Sequence, residues 1–238
     1  AIDIGNTNIV VGIYAEQQLR HHWRLFSERK RTEDEYHLIF SALWRNINVN
    51  YHDFKSVIIS SVVPPLTTLF NQLFSDQCQV KPLMLNAHTD TGLTFAVDNP
   101  ETLGSDLIAN AVAAYHQLQD TCIIVDFGTA TTLMAVQQPG IFLGGAIAAG
   151  LNTVHDALIS KTAQLPAIAL TAPGQIIGTN TVSALQTGLV LGHLAMVEGI
   201  VARMKQTLGL CKVVATGGLA TTLSSMSTVF DHVDCNPH

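Results

Sequence analysis

Apolar and polar positions follow two rhythms along this 238-residue chain. Short apolar runs broken by glycine and asparagine alternate with stretches of helical period. Ala1-Ile2-Asp3-Ile4 predicts a buried strand, Gly5-Asn6-Thr7 a tight turn, and Ile9 to Tyr14 a second strand. Leu19 to Leu25 predicts a third. Thr32-Glu33-Asp34-Glu35 is a capping-box pattern, in which Thr32 accepts from the Glu35 N–H, and it opens a helix running to about Trp44. Val57 to Val63 reads as a buried strand ended by Pro64-Pro65, with a helix following to about Phe74. Leu103 to Leu118 carries Leu107, Ala111, Ala114 and Leu118 on one helical stripe. Cys122 to Val125 is the next buried strand, and a long helix is predicted from Val182 to Leu208. Strands mixed with helices in this way predict an α/β layered fold.

One pattern occurs twice. AIDIGNTNIVVGIY and IIVDFGTATTLMAV share one grammar: an apolar strand, an Asp, one apolar residue, a Gly with a Thr-bearing turn, then another apolar strand. Asp126 follows Asp3 by 123 residues, about half the chain, which predicts two similar subdomains, 1–118 and 119–238. Solenoid repeats have far shorter periods.

The repeated turn has two readings. Glycine lets backbone N–H groups approach a ligand, and Asn and Thr add neutral donors suited to phosphate oxygens. A carboxylate beside phosphate is repulsive unless a cation lies between them, so Asp3 and Asp126 imply Mg²⁺ or another hard cation, held directly or through water. The other reading is two ordinary hairpins with Asp in Asx-turns. Two copies acting on one nucleotide at half-chain spacing favour the first.

Composition narrows the function classes. The chain is 47% hydrophobic and 13% charged, with a formal net charge of -6, which argues against nucleic acid as a partner. Cys78, Cys122, Cys211 and Cys235 show neither zinc nor disulfide spacing and fit a reducing compartment. Ten histidines include no ligand-type spacing, and His21-His22 beside Trp23 suits packing. Asp3 interrupts the first apolar run, so no secretory signal is predicted. His193, Glu198, Arg203 and Lys205 interrupt the long apolar helix, which predicts no membrane association and a cytoplasmic protein. The chain begins inside a strand, so a few residues ahead of Ala1 are expected.

RTEDEY, IISSVVPPL, VDNPETLGSDLIANAVAAY, DFGTATT, GGAIAAGL, TAQLP, IGTNTVSALQTGL and VVATGGLA occur in this order over nearly the whole chain. The duplicated hairpin resembles the phosphate loops of the acetate and sugar kinase, Hsp70 and actin superfamily, and the ordered segments together resemble type III pantothenate kinases. The resemblance implies a duplicated ribonuclease H-like (actin-like ATPase) fold with mixed sheets flanked by helices. It implies ATP-dependent phosphorylation of pantothenate to 4′-phosphopantothenate, the first step toward coenzyme A. It further implies a homodimer, a divalent ion such as Mg²⁺ with ATP, and K⁺ or NH₄⁺. Family members also carry a short segment beyond the Gly-Gly motif, so further residues are expected after His238.

The resemblance assigns roles by position. Asp3, Gly5, Asn6 and Thr7 of the first turn, Gly128, Thr129 and Thr131 of the second, and Gly217-Gly218 of ATGGLA correspond to nucleotide contacts. Asp126 corresponds to the monovalent-cation site, and Asp3 to the Mg²⁺ carried by ATP. Gly104, Ser105 and Asp106 of GSDL match the substrate motif, with Asp106 as general base. A primary alcohol attacking phosphorus must lose its proton, and a carboxylate within reach can take it. From its position alone, Asp106 equally suits an N-terminal cap. Thr181 matches a threonine that contacts pantothenate across the dimer; as a residue type it also suits the N-cap of the helix from Val182.

This sequence departs from the family in places. Leu107 stands where many members have Arg, Val97 falls near a common Tyr, and Ala149 replaces a common Pro. Leu cannot bind a carboxylate, which predicts either weak pantothenate affinity or another cation in place of the Arg, with Lys161 and Arg31 as candidates. An accessory factor for gene expression, binding nucleotide without turnover, is the alternative function.

Overall fold

The computed structural model describes residues 1–162 and 165–234. Cys235 and part of the TAQLP segment lie outside the described residues. The chain forms two compact units. Among the described residues, the first comprises Ala1–Asp90 with Asn99–Ala109; the second comprises Thr91–Asp98 and residues 110–234.

The first unit is built on a five-stranded sheet. β1 (Ile2–Ile4), β2 (Asn8–Ala15) and β3 (Gln18–Phe26) form an antiparallel meander, and β4 (Ile58–Ser61) and β5 (Leu83–Met84) add parallel to β1. The order is β3-β2-β1-β4-β5. Ile2 and Ile4 are buried, and the pleat turns Asp3 to the opposite face. Helix α1 (Glu33–Arg45) starts at the predicted capping box: Thr32 Oγ1 accepts from Glu35 N at 3.3 Å, and Thr32 N donates to Glu35 Oε2 at 2.7 Å. Tyr36, Phe40 and Trp44 recur every four residues along it and meet Phe70 and Phe74 of α2 (Pro64–Cys78) in an aromatic core. Pro64 occupies the first turn of α2, where a missing N–H costs nothing.

The expected strand from Val57 to Val63 is shorter than predicted. Only Ile58–Ser61 is strand, because α2 begins at Pro64 and the chain leaves the sheet before it.

Helix α3 (Ser105–Leu118) follows, with Ile108, Ala111 and Ala114 buried. Leu107, placed on the predicted stripe, is only half-buried.

The second unit repeats the first sheet's topology. β7 (Cys122–Phe127), β8 (Ala130–Gln137) and β9 (Ile141–Ala149) form the meander, while β10 (Lys212–Thr216) and β11 (His232–Val233) run parallel to β7. The sheet order is β11-β10-β7-β8-β9-β6, where β6 (Thr94–Phe95) is an added edge strand. Without β6 it matches the first sheet strand for strand, so the sequence repeat corresponds to a repeat of fold.

Helix α4 (Leu151–Lys161) follows β9. The long predicted helix is α5 (Thr181–Gln186), a π-helical turn at Thr187–Leu191, and α6 (Gly192–Leu208). Its N-cap is Asn180, whose Oδ1 accepts from Ser183 N at 2.9 Å, so Thr181 is the first helical residue and the capping role predicted for it is corrected. By length and composition Thr181–Leu208 could cross a membrane. Its Leu189, Val190, Val197 and Val201 are instead buried in one core with Ile123, Val125, Leu133 and Val213 of the second sheet. The short helix α7 (Ala220–Ser224) follows β10.

Candidate active site

In the first unit the site grows from the end of β1. Parallel pairing sets Asp3 beside Ser60 of β4, so both side chains project from one face. Ser60 Oγ donates to Asp3 Oδ1 at 2.7 Å. The turn that follows is closed by Gly5 N donating to Asn8 O at 2.9 Å. Ser27 Oγ donates to Gly5 O at 2.6 Å, and Arg29 Nη2 donates to Asn6 Oδ1 at 2.8 Å. Asn6 and Thr7 are exposed at the tip. The turn is therefore held from behind and presents its polar groups outward.

The same unit positions Gly104, Ser105 and Asp106. Ser105 is buried, and its Oγ accepts from Ser61 N at 2.7 Å and lies 3.1 Å from Ser60 Oγ. The start of α3 is thereby pinned to the end of β4. Asp106 is the second residue of the helix and is half-buried, with Oδ1 accepting from Leu107 N at 2.8 Å. A Cβ at position 104 would lie 2.4 Å from that same Oδ1, so glycine there leaves room for the carboxylate. Ser105, expected to touch substrate, has its hydroxyl engaged inside the unit.

The second unit repeats the arrangement around Asp126. Thr216 of β10 takes the register position beside Asp126 that Ser60 takes beside Asp3. Asn110 Nδ2 donates to Asp126 Oδ2 at 2.8 Å. Gly217, at φ +90°, lies so close that a Cβ would sit 2.3 Å from Asp126 Oδ1 and 2.7 Å from Phe127 N. Gly218 has open space where its Cβ would be. Gly217 of ATGGLA thus packs against the Asp126-Phe127 start of DFGTATT.

That turn is closed by Gly128 N donating to Ala130 O at 3.1 Å. Thr129 is exposed; its carbonyl accepts from Gly150 N at 3.0 Å and Thr153 Oγ1 at 2.7 Å. A Cβ at Gly150 would lie 2.3 Å from Gly128 O, which explains the glycine ending GGAIAAG. Thr131 is buried instead, with Oγ1 2.9 Å from His193 Nε2. Burial pushes the His193 imidazole below its ordinary pKa, so it is neutral there.

The donor set fits the expected cations. Asp3 and Asp126 offer hard carboxylate oxygens, which suit Mg²⁺ and alkali ions, whose remaining ligands phosphate and water can supply. Burial raises the Cys78 and Cys122 thiols to about 11 and about 12, so neither of these two is poised as a thiolate nucleophile.

The sequence profile of type III pantothenate kinases matches residues 1–203. The type III pantothenate kinase of Geobacillus kaustophilus (strain HTA426) is 44% identical over 234 residues, which cover 98% of this chain and 91% of that one. This chain belongs to the type III pantothenate kinase family. It is an enzyme of coenzyme A biosynthesis that phosphorylates pantothenate, using ATP and a divalent metal.

Two solved structures support the fold alone. A protein named as a Baf-family transcriptional activator from Campylobacter jejuni superposes with a TM-score of 0.60 at 18% identity, covering 98% of this chain and 90% of that one. A protein named as a 2-dehydro-3-deoxygalactonokinase from Sinorhizobium meliloti gives a TM-score of 0.57 at 12% identity, covering 98% and 90%. The kinase therefore has the expected duplicated actin-like ATPase and sugar-kinase fold.

Thr181 of this kinase lines a separate cavity of about 710 Å³ with Gly178, Asn180, Ala184, Leu185 and Gly188. Of the two cations considered as substitutes for the missing Arg, Arg31 lies over the Tyr36 ring at 5.8 Å, and Lys161 ends α4. Ser60, Asn110, Gly150 and His193 are the residues that motif reading missed.

Proposed function

We propose that the residues singled out by motif divide the kinase reaction among themselves as follows. Asp106 accepts the proton of the pantothenate hydroxyl as that oxygen attacks the γ-phosphorus. The new O–P bond forms as the bond to the β-phosphate oxygen breaks, and ADP leaves. Gly104 keeps the Asp106 carboxylate in place. The first turn, with Asp3, Gly5, Asn6 and Thr7, and the second, with Gly128 and Thr129, bind ATP phosphates through backbone and side-chain donors. Thr131 supports the second turn from inside through His193. Gly217 and Gly218 let the nucleoside lie against backbone. Asp3 would hold the divalent ion that accompanies ATP, directly or through water, and Asp126 would hold K⁺ or NH₄⁺; such cations would supply neutralisation of phosphate charge.

The enzyme acts as a homodimer in this reading. Ala184, Gly188 and Gly192 are exposed, and among the described residues nothing beyond the local helix backbone lies within 4 Å of where a Cβ would stand at either glycine. Thr181 heads this open face and completes the pantothenate site of the opposite subunit. The apolar side of the same helix lies in the second core, which supports a soluble enzyme.

The observation that carries the reading is the equivalence of Asp3 and Asp126. Each is the next-to-last residue of the equivalent strand, β1 or β7, in sheets that share one order apart from β6, and each leads into a glycine turn. ATP consumption over a panel of pantothenate, pantetheine, sugars and acetate tests it. Turnover with pantothenate and Mg²⁺ is expected; turnover confined to another alcohol, or none, would overturn it.

A further inference from the structure

We propose that Ser60 and Ser105 are positioning residues that hold the nucleotide-side carboxylate Asp3 and the helix bearing Asp106 as one unit. The inference rests on the roles given above to Asp3 and Asp106.

The polar chain linking them has a direction. Ser105 Oγ accepts from the Ser61 backbone N–H at 2.7 Å. Ser60 Oγ lies 3.1 Å from Ser105 Oγ and 2.7 Å from Asp3 Oδ1. A hydroxyl has one proton, and a carboxylate only accepts. The Ser60 proton therefore goes to Asp3, and the Ser105 proton goes to Ser60. Each bond polarises the next toward the carboxylate. Ser60 and Ser105 are 7% and 6% exposed, so water competes weakly for these protons.

Both ends of the chain bear on the reaction. Ser60 fixes one oxygen of Asp3, which sets where the other points. Ser105 is the residue before Asp106 and ties the first turn of α3 to β4. A shift of the strand end would thus reach both carboxylates through two hydroxyls. The second sheet gives independent support: Thr216 occupies the equivalent register position beside Asp126, so a hydroxyl residue flanks the loop carboxylate in both halves.

The test combines nucleotide binding and turnover in the full chain. Binding of Mg²⁺ with a non-hydrolysable ATP analogue is measured by calorimetry for Ser60→Ala, Asp3→Asn and the double variant. A hydrogen bond to a charged group corresponds to about tenfold in affinity or more, so Ser60→Ala is expected to weaken binding about tenfold. Because Ser60 acts through Asp3, the double variant should bind no more weakly than Asp3→Asn alone. Ser105→Ala should lower kcat about tenfold, and Ser105→Thr, which keeps the hydroxyl, should restore it.

Losses that multiply in the double variant, or a Ser60→Ala protein that binds like the wild type while Asp3→Asn is impaired, would overturn the relay alone. Wild-type binding by Asp3→Asn would overturn the role of Asp3, and the relay with it. If Ser60→Ala fails to fold, Ser60→Cys keeps the volume with a weaker donor. An intermediate loss supports the relay, and wild-type binding contradicts it.

Discussion

Asn110 reaches from α3 to Asp126 and donates to its Oδ2 at 2.8 Å. Asn110 is buried and Asp126 half-buried, so the bond is partly shielded from water and orients a carboxylate proposed to hold a monovalent cation. Asn110→Ala should lower stability by roughly 1.5–3 kcal/mol, the usual worth of a hydrogen bond to a charged group. It should also raise the K⁺ concentration for half-activation about tenfold. Urea unfolding checks the first part, and rates measured against K⁺, Na⁺ and Tris at fixed ionic strength check the second. Equal wild-type rates in all three salts would remove the cation from Asp126.

Gly217→Ala should be costly for two separate reasons. The φ of +90° is one that side-chain-bearing residues rarely adopt, and the new Cβ would press on Asp126 Oδ1 and the Phe127 backbone. A loss of about 1–3 kcal/mol in urea unfolding is expected, with weaker nucleotide binding. Gly218→Ala, where the space is open, should be far milder, and the contrast between the neighbours is the check.

His193 predicts a pH effect. Its folded-state pKa lies below the ordinary 6.5, because burial disfavours the cation. The unfolded chain therefore binds a proton at higher pH than the folded one does. Stability is retained above about 6.5 and falls as pH drops below that value toward the lowered folded-state pKa. Thermal unfolding followed from neutral to mildly acidic pH should show this decline. His193→Gln, which can still hydrogen-bond Thr131, should show less of it.

Quaternary structure is testable by complementation. Asp106→Asn and Thr181→Ala chains, each inactive alone, should regain activity when refolded together. A mixed dimer would have one doubly defective site and one intact site. Full activity of a wild-type monomer at low concentration would contradict a shared site.

Much of this arrangement was readable from local patterns. The Asp-x-Gly turns announced the duplicated sheets, and Thr32-x-x-Glu35 announced α1, because their chemistry lies within a few residues. Ser60, Asn110 and His193 left no such signal. Their partners lie 57, 16 and 62 residues away, joined only by strand register or helix packing. The helix start near Thr181 was misplaced by one residue because Asn180 and Thr181 are both capping types, and Asn caps more strongly. Thr131 belonged to the Thr-bearing turn by sequence, but strand alternation carries its hydroxyl inward to His193.

The central chemical claim is that Asp106 removes the proton from pantothenate. The most direct measurement is the turnover of Asp106→Asn with saturating Mg²⁺, ATP and pantothenate, beside the affinity of the same variant for an ATP analogue. We expect kcat to fall by about 10²- to 10⁴-fold, the usual contribution of a general base, while nucleotide affinity changes little. A variant that forms 4′-phosphopantothenate at nearly the wild-type rate would contradict the account.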